Sequence, residues 1–328
     1  MINEKFFSEK NIKTLSVIGT RAAFGQVCNE IIENEKKLMI VTADVSTSAG
    51  LDKFRKNYPE NFIDVGIAEQ NMIGVATGLS RNGFQVITTT FSPFQTLRCL
   101  EQIKVNLGYM NEKIIMVGLA SGLVLGPLGF THCSIEDIGA IRSIPNIKII
   151  SPSDGLETTK AIIASIKETS SVYIRLTGGA PAPIINKINY NFEIGKATNL
   201  IEGKDLAIIS NGAILSECYV ASEILKNKDI SCKLINMHTV KPLDENTLKE
   251  VFKKFKYIFA VEEHNVIGGL GSAIAEFFSN LKTDNRLVRI GINDLYSKSG
   301  SYHFMKKINK IDADSIVETI EREIAIND

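Results

Sequence analysis

Short runs of β-branched and other apolar residues recur along this chain, each separated from the next by a stretch of helical period, and this alternation limits the fold more than any other feature. Parallel strands need a crossover between them and a helix supplies it, so the pattern predicts βα units around a mostly parallel sheet, an α/β fold. In the first half, strands are expected at Leu38–Thr42, Phe62–Val65, Val86–Thr90, Ile114–Gly118, Ile147–Ile150 and Val172–Leu176, with helices near 21–34, 69–82, 93–107, 134–143 and 155–168. A stretch holding Gly178, Gly179, Pro181 and Pro183, then polar residues to Asn191, interrupts the rhythm and reads as a linker. A second series follows, with strands at Leu206–Ser210, Cys232–Asn236, Tyr257–Val261 and Leu287–Ile290, and helices near 213–226, 244–254, 270–280 and 313–325. Two α/β domains are therefore expected, residues 1–185 and a smaller one at 186–328. A length of 328 residues agrees, since single cores stop growing at about 250–300 residues.

Lys plus Arg number 37 and Asp plus Glu number 37, so the chain lacks the basic excess that draws proteins to nucleic acid or anionic membrane. Small molecules and proteins are the expected partners. The cysteines Cys28, Cys99, Cys133, Cys218 and Cys232 have no CxxC spacing, which argues against a zinc site or a disulfide framework and fits a reducing cytoplasm. No metal ligands are expected on this chain. No segment reaches the roughly 18 apolar residues of a membrane span, and the N-terminus lacks a sustained apolar run, so a soluble, unprocessed protein is expected.

Three segments carry chemistry. In Asp64-Val65-Gly66-Ile67-Ala68-Glu69-Gln70-Asn71-Met72 a strand stops and a helix opens with a carboxylate, a junction where α/β proteins bind ligands. By itself Glu69 also suits a plain complement to the helix dipole. In Thr90-Phe91-Ser92-Pro93-Phe94-Gln95-Thr96-Leu97-Arg98 two rings lie three residues apart, placed either to flank a flat heterocycle or to join the core. A long glycine-rich connection from Gly118 to Ile135 ends in Thr131-His132, and His132 is suited to shuttle a proton near neutrality.

Taken in order, DVGIAEQNM, TTFSPF, GPLGFTH, PNIKIISPSD and VEEHNVIGGLGSA resemble the transketolase and deoxyxylulose-phosphate-synthase superfamily over nearly the whole chain. The resemblance implies a flavodoxin-like, layered domain that binds the pyrimidine of thiamine diphosphate, followed by a transketolase C-terminal domain. The Gly-Asp-Gly and Asn-Asn elements that bind Mg²⁺ and the diphosphate are absent here. This implies a split enzyme whose N-terminal subunit supplies them, in an expected α2β2 assembly. By position, Glu69 matches the glutamate that hydrogen-bonds the pyrimidine nitrogen and favours its imino tautomer, and burial is expected to strengthen its hold on a proton. Phe91, Phe94 and Asp44 match the rest of the cofactor pocket, with Leu97 where an aromatic residue is common. Arg21, Ser48 and Arg175 match groups that hold a sugar phosphate, and His132 matches the histidine beside the donor's first hydroxyl.

Two departures bear on substrate. Leu128 stands where the family motif has an aspartate that reads a sugar hydroxyl, and Ala120 stands at an expected histidine. Loss of these polar contacts implies altered stereochemical preference or a less hydroxylated substrate. The Gly268-Gly269-Leu270-Gly271 cluster suits close packing, or an anion at a helix start. The activity implied is transfer of a two-carbon ketol unit from a ketose or 2-oxo acid to an aldose, with a phosphorylated acceptor expected. The alternatives are a deoxyxylulose-phosphate-synthase-like enzyme, a 2-oxo-acid dehydrogenase β subunit, or a non-catalytic partner.

Overall fold

The alternation of strands and helices produces two sheets, seen in a computed structural model that describes residues 4–178, 185 and 189–327. The first half contributes β1 (Leu38–Thr42), β2 (Phe62–Asp64), β3 (Gln85–Phe91), β4 (Ile115–Leu119), β5 (Ile147–Ile150) and β6 (Ser171–Arg175). The second contributes β7 (Thr198–Ile201), β8 (Leu206–Ser210), β9 (Cys232–Asn236), β10 (Thr239–Lys241), β11 (Tyr257–Asn265) and β12 (Arg286–Ile292). The larger sheet runs β10-β5-β6-β4-β3-β1-β2 and the smaller β12-β11-β8-β9-β7.

All neighbours in the larger sheet are parallel except β10, which pairs antiparallel with β5. Strands β1, β4, β6 and β8 are buried at every position because helices cover both faces, hence the mainly apolar sequences of β1, β4 and β8. On one face Phe24, Val27, Ile31, Ala161 and Ile162 from two helices pack on Ile40, Ile87 and Val117. On the other, Met72, Ile73 and Ala76 pack on Met39, Val41 and Met116. Each such aliphatic side chain, fully buried, contributes about 1.5–3 kcal/mol relative to exposure.

The expected strands form, but two more exist. Strand β7 pairs antiparallel with β9, and β10 leaves its own half to extend the larger sheet. At four and three residues they are too short for a period to declare itself. The helix expected near 93–107 is instead three pieces, Ser92–Gln95, Leu100–Gln102 and a π-helical segment Ile103–Tyr109. Helices Glu9–Val17, Asp52–Asn57 and Tyr302–Ile308 lie outside the sequence-based expectations. Of the linker residues, Gly178 has a left-handed φ of 75°, while Gly179, Pro181 and Pro183 lie outside the described residues.

The halves also share a core. Leu123, Cys133 and Ile135, from the connection between β4 and β5, are buried with Leu206, Phe259 and Met305 of the second half.

Candidate active site

The carboxyl ends of β1 to β4 form one edge of the larger sheet, the edge where ligands bind in such folds. After β2 the Asp64 carboxylate accepts the backbone N–H of Gly66 at 2.9 Å and of Asp44 at 3.0 Å. It thereby ties the turn after β2 to the turn after β1, and Gly66 takes the left-handed φ of 70° that this turn needs. The helix Glu69–Arg81 then begins with Glu69, only 4% exposed. Its Oε1 accepts a hydrogen bond from Arg98 Nη1 at 2.5 Å, and the Arg98 guanidinium lies 3.9 Å from the centre of the Phe94 ring.

Three rings stand together beyond this pair. Phe91 ends β3 and meets Phe94 edge to face at 6.2 Å, while the His132 ring lies 5.4 Å from Phe94 and 6.5 Å from Phe91. His132 Nδ1 is 2.9 Å from Thr131 Oγ1, which fixes the ring's turn about its own bond. A buried carboxylate beside aromatic walls fits a flat heterocycle that has a ring nitrogen to hydrogen-bond, as an aminopyrimidine has. Cys99 is buried beside Glu69 with Sγ donating to Phe94 O at 3.1 Å; burial, then the Glu69 charge, pushes its thiol up to about 12, so it stays protonated.

Arg21 and Ser48 line an open depression of about 290 Å³, with Ile18, Ala22, Thr47 and Gly50, and Arg21 Nη1 donates to Ser48 O at 3.4 Å. Gly178 lets the Arg21 stem lie against the backbone, since a Cβ there would come within 2.8 Å of Arg21 Cγ. Asp44 is exposed at the end of β1 in a left-handed conformation, φ 56°, and Ala120 at the end of β4 has φ 52°. Leu128 is 58% exposed in the loop that bears His132.

Arg175, expected beside a substrate phosphate, is 2% exposed in the seam between the halves. Its Nε donates to both oxygens of Asp137, at 3.1 and 2.8 Å, and its Nη2 to Ser134 O at 3.1 Å and Glu263 O at 2.8 Å. Asp137 is a wholly buried carboxylate that holds the guanidinium, and a charged pair there resists separation. The glycine cluster is accounted for by protein as well. Gly268 lies against Gly139, where a Cβ would sit 2.9 Å from the Gly139 Cα, and the anion at the start of helix Leu270–Phe278 is Glu262, which accepts the N–H of Leu270 and Gly271.

Sequence reasoning missed Arg98 and Glu263. The signal for Arg98 was its place four residues after Phe94, the spacing that lays a guanidinium on a ring within one turn. Glu263 sits in the VEEHN segment, but nothing local shows what it reaches.

A family model described as transketolase, pyrimidine binding domain, matches residues 16–180, and one described as transketolase, C-terminal domain, matches residues 195–316. The chain belongs to the transketolase family. This transketolase-family chain is 37% identical over 288 residues to one subunit of the apulose-4-phosphate transketolase of Actinobacillus succinogenes, covering 88% of the chain and 92% of that protein. It superposes on a split gene transketolase, described as an inactive β4 tetramer, with a TM-score of 0.84 and 31% identity over 93% of this chain and 98% of that one. It also superposes on a transketolase of Campylobacter jejuni with a TM-score of 0.78 and 19% identity, covering 93% of this chain but 47% of that one. The last likeness is one of fold, and the chain spans about half the length of that transketolase. The family depends on thiamine diphosphate, and this member carries the pyrimidine-binding half. Among the described residues no helix is long and apolar enough to cross a membrane.

Proposed function

We propose that this chain is the pyrimidine-binding subunit of a two-subunit transketolase, completed by an N-terminal subunit that holds Mg²⁺ and the cofactor diphosphate. The observation that carries the reading is Glu69, buried at a helix start and joined through Arg98 to the Phe94 ring, which packs with Phe91 and His132. Arg98 offsets the cost of burying this carboxylate through Oε1, and an aminopyrimidine would add a second hydrogen-bond partner at Oε2. Thiamine diphosphate, when bound, would supply a thiazolium carbon that becomes a nucleophile on losing its proton, the chemistry that transfer of a two-carbon ketol unit needs.

The chain's own residues then have these parts. Glu69 hydrogen-bonds the pyrimidine nitrogen through its Oε2, because Arg98 occupies Oε1. Phe91 and Phe94 wall the ring and exclude water, and Asp44 borders the same edge. His132 exchanges a proton with the donor's first hydroxyl. Arg21 and Ser48 take the substrate phosphate in their shared depression, a guanidinium and a hydroxyl at one open site. Arg175 is given a structural part, since Asp137 already neutralises it. Leu128 presents an apolar surface where a hydroxyl-reading acid would stand, which favours a substrate with one hydroxyl fewer at that place. An α2β2 assembly follows the dimeric arrangement the resemblance implies.

Coexpression with an N-terminal transketolase subunit, and assay with hydroxypyruvate against aldoses with and without phosphate, tests this reading. Ketose formation is expected only with both chains, Mg²⁺ and thiamine diphosphate. A stable complex that turns over no donor, pyruvate included, would overturn it, as would full activity of this chain alone.

A further inference from the structure

We infer that Glu263, in the second half of the chain, is a positioning residue that holds the loop bearing His132. The inference rests on the transketolase reading for the role of His132, but the anchoring itself is a matter of geometry. The loop is pinched at its base, where Gly122 N–H donates to Ser134 O at 2.9 Å and Ser134 N–H to Gly122 O at 3.0 Å. Between those points the loop holds a short 3-10 turn, Gly126–Leu128, and its own backbone hydrogen bonds, while its root is set from outside.

Glu263 meets that need. Its Oε1 accepts the Leu123 N–H at 2.6 Å, just inside the pinch, and its Oε2 accepts the Tyr302 hydroxyl at 2.7 Å. Its backbone O accepts Arg175 Nη2, and the same nitrogen donates to Ser134 O, so both sides of the pinch are tied to one residue of β11. Gly122 is suited to this approach: φ is 70°, and a Cβ would fall 2.2 Å from Glu263 Oε1. Farther along, Asn265 N–H donates to Ile135 O at 2.8 Å. His132 is one residue from Cys133, which is itself buried in the second half's core. The second half thus reaches the site through the loop that bears His132, holding its root and also meeting it where Tyr296 lies against Phe130 and Gly300 N–H donates to Gly126 O.

A glutamate only 2% exposed is a poor choice for packing alone, since an apolar side chain of that size would avoid the cost of dehydrating a carboxylate. What the carboxylate gives is direction, two strong acceptors at fixed angles.

The test combines hydrogen exchange on the full chain with kinetics of the two-subunit complex. Glu263→Ala is expected to speed amide exchange across residues 122–134 by about tenfold or more while strands β1 and β3 stay protected. In the complex it is expected to lower kcat about 30-fold with little change in acceptor KM, and adding His132→Ala to it is expected to cost less than about twofold more, because the two act as one unit. Glu263→Gln, which keeps an acceptor oxygen for Leu123, is expected to restore kcat to within about threefold of the parent. Gly122→Ala, whose Cβ displaces the carboxylate while leaving its charge, is expected to reproduce the loop exchange if Glu263→Ala fails to fold. Unchanged loop exchange in the folded variants would overturn the inference, as would additive losses from Glu263→Ala and His132→Ala. An inactive parent complex whose loop still opens in these variants would refute the assigned function and leave the anchor standing.

Discussion

Arg98 reaches across from the end of the β3 connection to Glu69, 29 residues earlier, and donates to its Oε1 at 2.5 Å while its own guanidinium rests on the Phe94 ring. One side chain therefore links the carboxylate of the candidate site to its aromatic wall. Because Glu69 is buried and Arg98 is 42% exposed, breaking the pair strands the buried member. A double-mutant cycle with Glu69→Gln and Arg98→Ala, read by urea unfolding of the chain, is expected to give a coupling of about 1–2 kcal/mol. A coupling near zero would mean that the pair is an idle surface contact.

Glu69→Gln should also separate binding from chemistry. The amide keeps the shape and one acceptor but cannot give and take a proton, so the complex is expected to lose at least about 100-fold in kcat. Steady-state assay with the N-terminal subunit checks this, and a rate within twofold of the parent would remove the catalytic role.

The two arginines expected at the phosphate should part company. Arg21→Ala is expected to raise KM for a phosphorylated acceptor about 10- to 100-fold and leave the unphosphorylated analogue nearly unchanged. Arg175→Ala is expected to destabilise the chain by about 3–5 kcal/mol, since it leaves the Asp137 carboxylate buried without its cation, with the Tyr173 hydroxyl at 2.7 Å and the His264 ring at 4.0 Å. KM ratios and urea midpoints read the two effects. A stable Arg175→Ala variant with a selective KM defect would return Arg175 to the phosphate.

Glu262 and His264 set opposed dependences on pH. Burial raises the Glu262 carboxyl to about 7, against the pull of the Gly271 and Leu270 amides, Arg175 and Arg289. Burial lowers His264 to about 4, against the nearby Asp137; its Nδ1 faces Asn265 O at 2.7 Å and its Nε2 accepts the Gly139 N–H at 3.3 Å, an arrangement for the neutral ring. The raised acid gives stability that is present below its ordinary value of 4.5 and lost as pH rises through about 7. The lowered base works the other way: its unfolded form binds the extra proton, so stability is gained as pH rises from about 4 to its ordinary 6.5. Between about 4.5 and 6.5 the two slopes, each up to roughly 1.4 kcal/mol per pH unit, offset one another. Glu262→Gln is expected to leave stability rising with pH in that window, and His264→Gln to leave it falling. Urea midpoints at three pH values test this, and variant curves parallel to the parent would refute it.

What the sequence determined by itself was local. The buried strands β1, β4 and β8 declared themselves because burial on both faces demands mainly apolar runs. Glu69, Phe91, Phe94 and His132 were each visible at a strand-to-helix junction or in a long loop, since the chemistry of a site sits on short segments. Tertiary structure decided what those segments meet. Strand β10 gave no sign of joining the larger sheet, because three residues carry no period and pairing with β5 depends on where the second half docks. Arg175 and Arg21 look alike in sequence, yet Asp137 draws one into the seam while the other stays beside an open depression. Glu263 and Leu123 lie 140 positions apart, and their contact exists only because the folded halves share a core. Local pattern fixes which groups are available; the burial that pairs and neutralises them is a property of the packed whole.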